Sequence, residues 1–179
     1  MKGIVFTEFL DMVEDAMGYE TVDQLIMEND LPSKGVYTSI GTYDHQEMVT
    51  LVTALSKKTT VPVSDLLQAF GHYLFGTFKT SYTSFLDAAP NAFDFLESIE
   101  TYIHVEVKKL YPDAQLPRFK TQRLEPNTLE MIYVSDRSMS DFALGLIEKT
   151  FEHYKETATI TREYLKDNGS KVRFLIVKS

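Results

Sequence analysis

The chain contains no cysteine and no tryptophan. Without thiols, disulfides, thiolate nucleophiles and cysteine-ligated zinc sites are excluded. No unbroken apolar run reaches the ~18 residues that a membrane helix requires, so no span is expected. Glycine is sparse, 8 in 179 residues, and none of it forms a phosphate-cradling loop or a Gly-x-Ser-x-Gly elbow. No two histidines take the i, i+4 metal spacing with a third carboxylate ligand nearby, which argues against a zinc hydrolase. Basic residues are also few: Lys and Arg total 18 against 26 Asp and Glu, a net charge of −8. Such a surface repels a polyanion and argues against nucleic acid as a partner. Met1 to Phe6 run directly into Glu8, Asp11, Glu14 and Asp15. A secretory leader would not carry that acidic load, so a cytoplasmic location is expected.

What is present is aromatic and apolar: 12 Phe, 10 Tyr and a hydrophobic fraction of 44%. At this length one domain is expected over 1–179, with approximate lobes 1–60 and 61–179. Helical spacing runs through Val5, Phe9, Met12, Val13 and Ala16 and stops at Gly18. Further helices are predicted over 21–29, 45–57 with Asp44 as N-cap, 65–78 with Ser64 as N-cap, and around 82–87. Pro90 opens a longer helix reaching Leu110. The period then changes. Arg118–Leu124 and Leu129–Ser135 read as a hairpin. A helix over 139–154 follows, then strands Thr157–Tyr164 and Lys171–Val177 around the turn Asn168-Gly169. The fold class is therefore α+β: an N-terminal helical lobe, then a four-stranded antiparallel sheet with an intervening helix.

Of four histidines, His104 stands out. On the 90–110 helix the inward stripe is Ala92, Phe93, Leu96, Ile99, Ile103, Val107 and Leu110. At 100° per residue, His104 falls about 20° beyond Phe93, on the edge of that stripe. A ligand to a metal wedged against the helix would stand there, and so would a half-buried structural histidine. Tyr133, Ser135 and Arg137 share one face if the strand continues. Together they offer a phenol, a hydroxyl and a guanidinium to an anion. An ordinary strand end with a surface Arg is the competing reading. Glu97 and Glu100, one turn apart on a helix that also carries Lys108 and Lys109, read as a solvated face. His45, His72 and His153 read as helix-end or helix-surface residues.

Three features carry a resemblance. Met1-Lys2-Gly3 opens directly into a helix. Ile103-His104-Val105-Glu106-Val107 leads to Leu116-Pro117-Arg118. Tyr133-x-Ser135-x-Arg137 precedes a helix reading Phe142-Ala143-Leu144-Gly145-Leu146. Over essentially its whole length the chain resembles H-NOX domains of the stand-alone bacterial type, haem sensors related to the haem region of soluble guanylate cyclase. The resemblance implies haem b, with His104 as the iron ligand. It also implies propionates held by Tyr133, Ser135 and Arg137, and Pro117 pressing on the macrocycle. Val5, Phe9, Leu74, Phe78, Phe142 and Leu146 would line the pocket. Oxygen-binding members place a tyrosine where this chain has Phe142, so a five-coordinate ferrous haem taking nitric oxide and CO but not oxygen is expected. Such a domain is a sensor, not an enzyme, and would regulate a separate histidine kinase or cyclic-di-GMP enzyme. A haem-free interaction module, or a haem carrier, remains the alternative.

Overall fold

Gly18 decides how the chain starts. Its φ of 83° lies in the left-handed region that a side chain resists, and there α1 (Gly3–Met17) gives way to α2 (Tyr19–Met27). The computed structural model describes residues 1–179. A loop then leads to α3 (His45–Thr59), whose N-cap Asp44 accepts a hydrogen bond from the Gln46 backbone N–H as expected. The fourth helix, α4 (Val63–Ser81), starts two residues before the predicted position. Pro62 occupies the cap, and Ser64 bonds Asp65 instead of a backbone N–H. A short α5 (Thr83–Asp87) and α6 (Ala92–Ser98) follow.

The long helix predicted from Pro90 runs from Ala92 to Leu110, but it is not α-helical throughout. Asn91 caps α6 by accepting from the Asp94 N–H. The helix then widens into one π-helical turn, Ile99–Ile103, before resuming as α7 (His104–Leu110). Periodicity cannot announce such a turn, because it holds one residue more than an α-turn and shifts the phase of everything after it.

Strands β1 (Arg118–Glu125) and β2 (Thr128–Val134) form the first hairpin, and β3 (Ala158–Tyr164) and β4 (Lys171–Lys178) the second. The sheet order is β1-β2-β4-β3, antiparallel throughout. One face of its two central strands, Leu129, Met131 and Tyr133 beside Val172, Phe174 and Ile176, is buried. It packs with Phe93, Leu96, Ile147 and Phe151 of α6 and α8 (Ser140–His153). The alternation of inward apolar residues is the ordinary consequence of the pleat. The observed architecture is thus the α+β arrangement expected. No helix is long and apolar enough to cross a membrane.

A second core gathers Phe6, Phe9 and Val13 of α1, Met48, Leu51 and Leu55 of α3, and Phe70 and Leu74 of α4. Phe9 and Phe70 meet edge-on at 5.3 Å. The loop between α2 and α3 is pinned to this core by a buried carboxylate. Glu47 accepts from the Ser33 N–H at 3.2 Å, the Ser33 hydroxyl and the Tyr37 hydroxyl at 3.0 Å, while the Tyr37 ring stacks on Phe6 at 4.4 Å. Burial, with the neighbouring Glu47 charge, pushes Tyr37 up from 10.0 to about 12. The folded chain therefore keeps this proton in a range where the unfolded chain loses it. The contribution is complete below pH 10 and disappears as pH rises towards 12. In urea titrations at increasing pH, Tyr37→Phe is expected to flatten the fall in stability over that window. An unchanged slope would show that Tyr37 does not link the fold to pH.

Helices α4 and α8 cross at glycines. A Cβ on Gly145 would run into the Gln68 carbonyl oxygen and lie 3.1 Å from Gly71 Cα; one on Gly71 would run into the Phe142 carbonyl oxygen. The backbones touch because both side chains are absent. This crossing joins the two cores, with Phe142 of α8 packed on the Phe70 ring of α4.

Candidate functional site

The π-helical turn places His104 at its exit, with the His104 backbone N–H donating to Ile99 O five residues back. Its imidazole is only 14% exposed, and burial lowers its pKa despite the opposing influence of Glu100. The ring's Nδ1 lies 3.3 Å from Glu100 Oε2. The same carboxylate oxygen accepts the Phe119 backbone N–H at 3.0 Å. With Nδ1 engaged, Nε2 carries the free lone pair and is the atom able to ligate a metal. Glu97, for its part, pairs with Arg123. Both carboxylates face solvent, 33% exposed for Glu97 and 40% for Glu100, but Glu100 also turns to His104 and Phe119.

A chain of rings links His104 to the strand residues. Its imidazole is 5.9 Å from the Phe119 ring, which is 5.7 Å from the Tyr133 ring. Tyr133 is 2% exposed, and its hydroxyl accepts the Met139 backbone N–H at 3.0 Å. The phenol proton remains to be donated elsewhere, and burial pushes its pKa up, which keeps that proton in place. The strand stops at Val134, one residue before the predicted end. Ser135 still follows the β2–β4 register, donating its N–H to Ser170 O, and its hydroxyl accepts the Arg137 N–H at 3.3 Å as the chain turns. This turn carries Arg137 back towards Tyr133.

Arg137 is half-buried and has no ion-pair partner; burial pushes its pKa down, and the nearby Tyr133 opposes this. A partly desolvated guanidinium without a carboxylate gains most from an anion supplied from outside the chain. Arg137 also forms one wall of a cleft of about 380 Å³, which Lys2, Asp44 and Asp113 line from other parts of the chain. Lys2 spans that cleft, donating to Thr42 at 2.8 Å and Asp113 at 3.2 Å.

The apolar candidates take two positions. Phe9 and Leu74 are fully buried within the helical core; Val5, Phe78 and Phe142 pack on it while half-exposed, and Leu146 of α8 is likewise half-buried. Phe142 lies against Phe70, ring centres 5.0 Å apart. Pro117 is half-buried just ahead of β1. Tyr73 turns away, donating to Asp15 on α1 at 2.8 Å, and Tyr82 packs against Phe78 and Phe85. The chain thus offers one imidazole nitrogen, a cluster of donors for an anion, and apolar side chains in the neighbouring helical core. That donor set suits a flat apolar group bearing a metal and acidic tails.

Three contributors escape sequence reasoning: Glu100, Phe119 and Met139. Glu100 stands four residues before His104, a spacing that brings helical side chains together, and that was the available signal.

Comparison with curated proteins gives no match. Residues 2–162 match the family described as Haem-NO-binding. The Fe(II) unliganded H-NOX protein from K. algicida is 48% identical, with a TM-score of 0.96 over 100% of this chain and 97% of that one. The H-NOX from Shewanella woodyi, solved in the Fe(II)CO state, is 41% identical, with a TM-score of 0.85 over 100% and 95%. An H-NOX protein from S. oneidensis in the Fe(II)NO state is 27% identical, with a TM-score of 0.92 over 100% and 99%. The chain therefore belongs to the Haem-NO-binding, or H-NOX, family of haem-binding gas-sensor domains.

Proposed function

We propose that this domain holds haem b and senses nitric oxide, ignoring oxygen. The observation that carries the reading is Arg137: a half-buried guanidinium without an ion-pair partner, set beside a phenol with a proton to spare. In this reading Tyr133, Ser135 and Arg137 hold the propionates, and His104 Nε2 is the iron ligand. Pro117 bears on the macrocycle ahead of β1. Val5, Phe78, Phe142 and Leu146 line the gas side, with Phe9 and Leu74 supporting them from deeper in the core.

When bound, a ferrous haem would supply an iron able to take up a diatomic gas. The protein selects among gases by what it sets opposite. Oxygen gains most from a hydrogen-bond donor there, whereas nitric oxide and CO depend on one far less. Phe142 has no donor, and the Tyr73 hydroxyl is committed to Asp15. Both support discrimination against oxygen. The S. oneidensis and S. woodyi relatives, solved with NO and CO, support the ligand class. The domain is read as a cytoplasmic sensor without catalysis of its own, passing its state to a separate histidine kinase or cyclic-di-GMP enzyme.

The test is the visible spectrum of the reduced protein under argon, NO, CO and air. The expected result is a five-coordinate ferrous band that responds to NO and CO and gives no oxygenated spectrum in air. A persistent oxygenated spectrum would sink the selectivity, and absence of a Soret band would sink the haem itself.

A further inference from the structure

Resting on that reading of His104, we propose that Glu100 is a positioning residue that fixes the tautomer of His104 and sets how firmly it holds iron. The argument begins with the π-helical turn. Single π turns concentrate at functional positions because the added residue re-aims a side chain at some cost in helix geometry. Here the turn spans Ile99–Ile103, so the carboxylate of Glu100 lies within the widened segment and the imidazole of His104 directly after it.

Glu100 Oε2 takes two donors, His104 Nδ1 at 3.3 Å and the Phe119 N–H at 3.0 Å. Sharing one oxygen explains why the imidazole bond, at 3.3 Å, is slightly longer than the usual range. The second donor makes the carboxylate more than a surface partner. Phe119 is the second residue of β1, two positions after Pro117, and its ring also touches the imidazole. One carboxylate thus ties the His104 ring to the start of the sheet. It leaves the ring little freedom to turn over and present Nδ1.

The charge has a second effect. A ligating histidine that donates its other N–H to a carboxylate becomes a more basic ligand, because the acceptor stabilises positive charge growing on the ring. Glu100 therefore strengthens the His104 bond and favours the ferric state. A firmer bond is harder to release when a gas binds opposite.

The two roles separate with Glu100→Gln. The amide retains an oxygen to accept the Phe119 N–H and loses the charge; Glu100→Leu loses both. On haem-replete full-length protein, E100Q is expected to lower the iron–histidine stretching frequency of the unliganded ferrous state and raise the Fe(III)/Fe(II) potential. It should also speed haem transfer to an acceptor globin about tenfold, the low end of what losing such a partner costs. In the diamagnetic CO-saturated protein, the His104 Nδ1 proton should move upfield relative to the parent. A carboxylate that only caps β1 would leave all these unchanged in E100Q, and that result would overturn the proposal even if E100L fails to fold. If instead His104→Ala keeps the parent's iron–histidine band, the assignment of the ligand fails, independently of Glu100.

Discussion

Gly145→Val is expected to be the most destabilising single substitution on the α4–α8 interface, costing on the order of 3 kcal/mol or more, beyond the usual range for overpacking. Even alanine should cost. A helical Gly→Ala change ordinarily gains about 1 kcal/mol of propensity. At Gly145 the new methyl meets the Gln68 carbonyl oxygen and the Gly71 backbone, which cannot swing aside as a flexible side chain would. Overpacking of about 1–3 kcal/mol then exceeds the gain, and the helices must part. Valine adds two methyl groups to the same gap without alanine's helix propensity. Against a total stability of roughly 5–15 kcal/mol, this is a large fraction. Urea unfolding of the haem-free chain measures it; an unchanged midpoint for Gly145→Val would mean that the crossing is looser than the geometry indicates. Gly71→Ala in the same background should then cost less than it does alone, because the two methyls enter one gap and the helices have already separated.

Much of the fold was legible because burial and period agree. The strands around Leu129–Tyr133 and Val172–Ile176 alternate cleanly, since one face packs on α6 and α8 and the other meets solvent. Asp44 was legible as a cap because its side chain has a single local job. Ser64 was misread because Pro62 already supplies a helix-ready start two residues earlier. The helix through 90–110 extends to Leu110 as its period indicates, but the π turn inside it is a tertiary decision, made where Glu100 finds partners on His104 and on a strand residue 19 positions away.

The candidate site divides the same way. Strand alternation puts Tyr133 and Ser135 together, and Ser135 does keep the sheet register, but a turn beyond it, not the pleat, returns Arg137 to Tyr133. His104 was chosen on a phase that the π turn then altered. Its burial and its link through Phe119 to Tyr133 belong to the packed chain. Glu100 had a visible spacing but was surrounded by other carboxylates and lysines, and only the Phe119 N–H, distant in sequence, singles it out.

Arg137→Ala is expected to lower haem affinity without lowering haem-free stability. If the guanidinium meets a propionate, removing it forfeits a hydrogen bond to a charged group, roughly 1.5–3 kcal/mol, or on the order of 10- to 100-fold in affinity. In the haem-free chain the same guanidinium is a desolvated charge without an ion-pair partner, so its removal should leave stability unchanged or improve it. A surface arginine would do neither, and one with a purely structural role would lower both. Arg137→Lys should recover only part of the affinity, because an ammonium cannot make the two-pronged contact. His104→Ala provides the second axis. It should abolish the five-coordinate ferrous spectrum outright while the propionate cluster still retains some haem, and added imidazole should restore the band. Competition for haem with an acceptor globin, paired with urea melts of the haem-free variants, reads both axes. Should Arg137→Ala lower stability and spare haem affinity, the anion that completes Arg137 would have to be sought elsewhere, and the propionate assignment would fall while that of His104 stood.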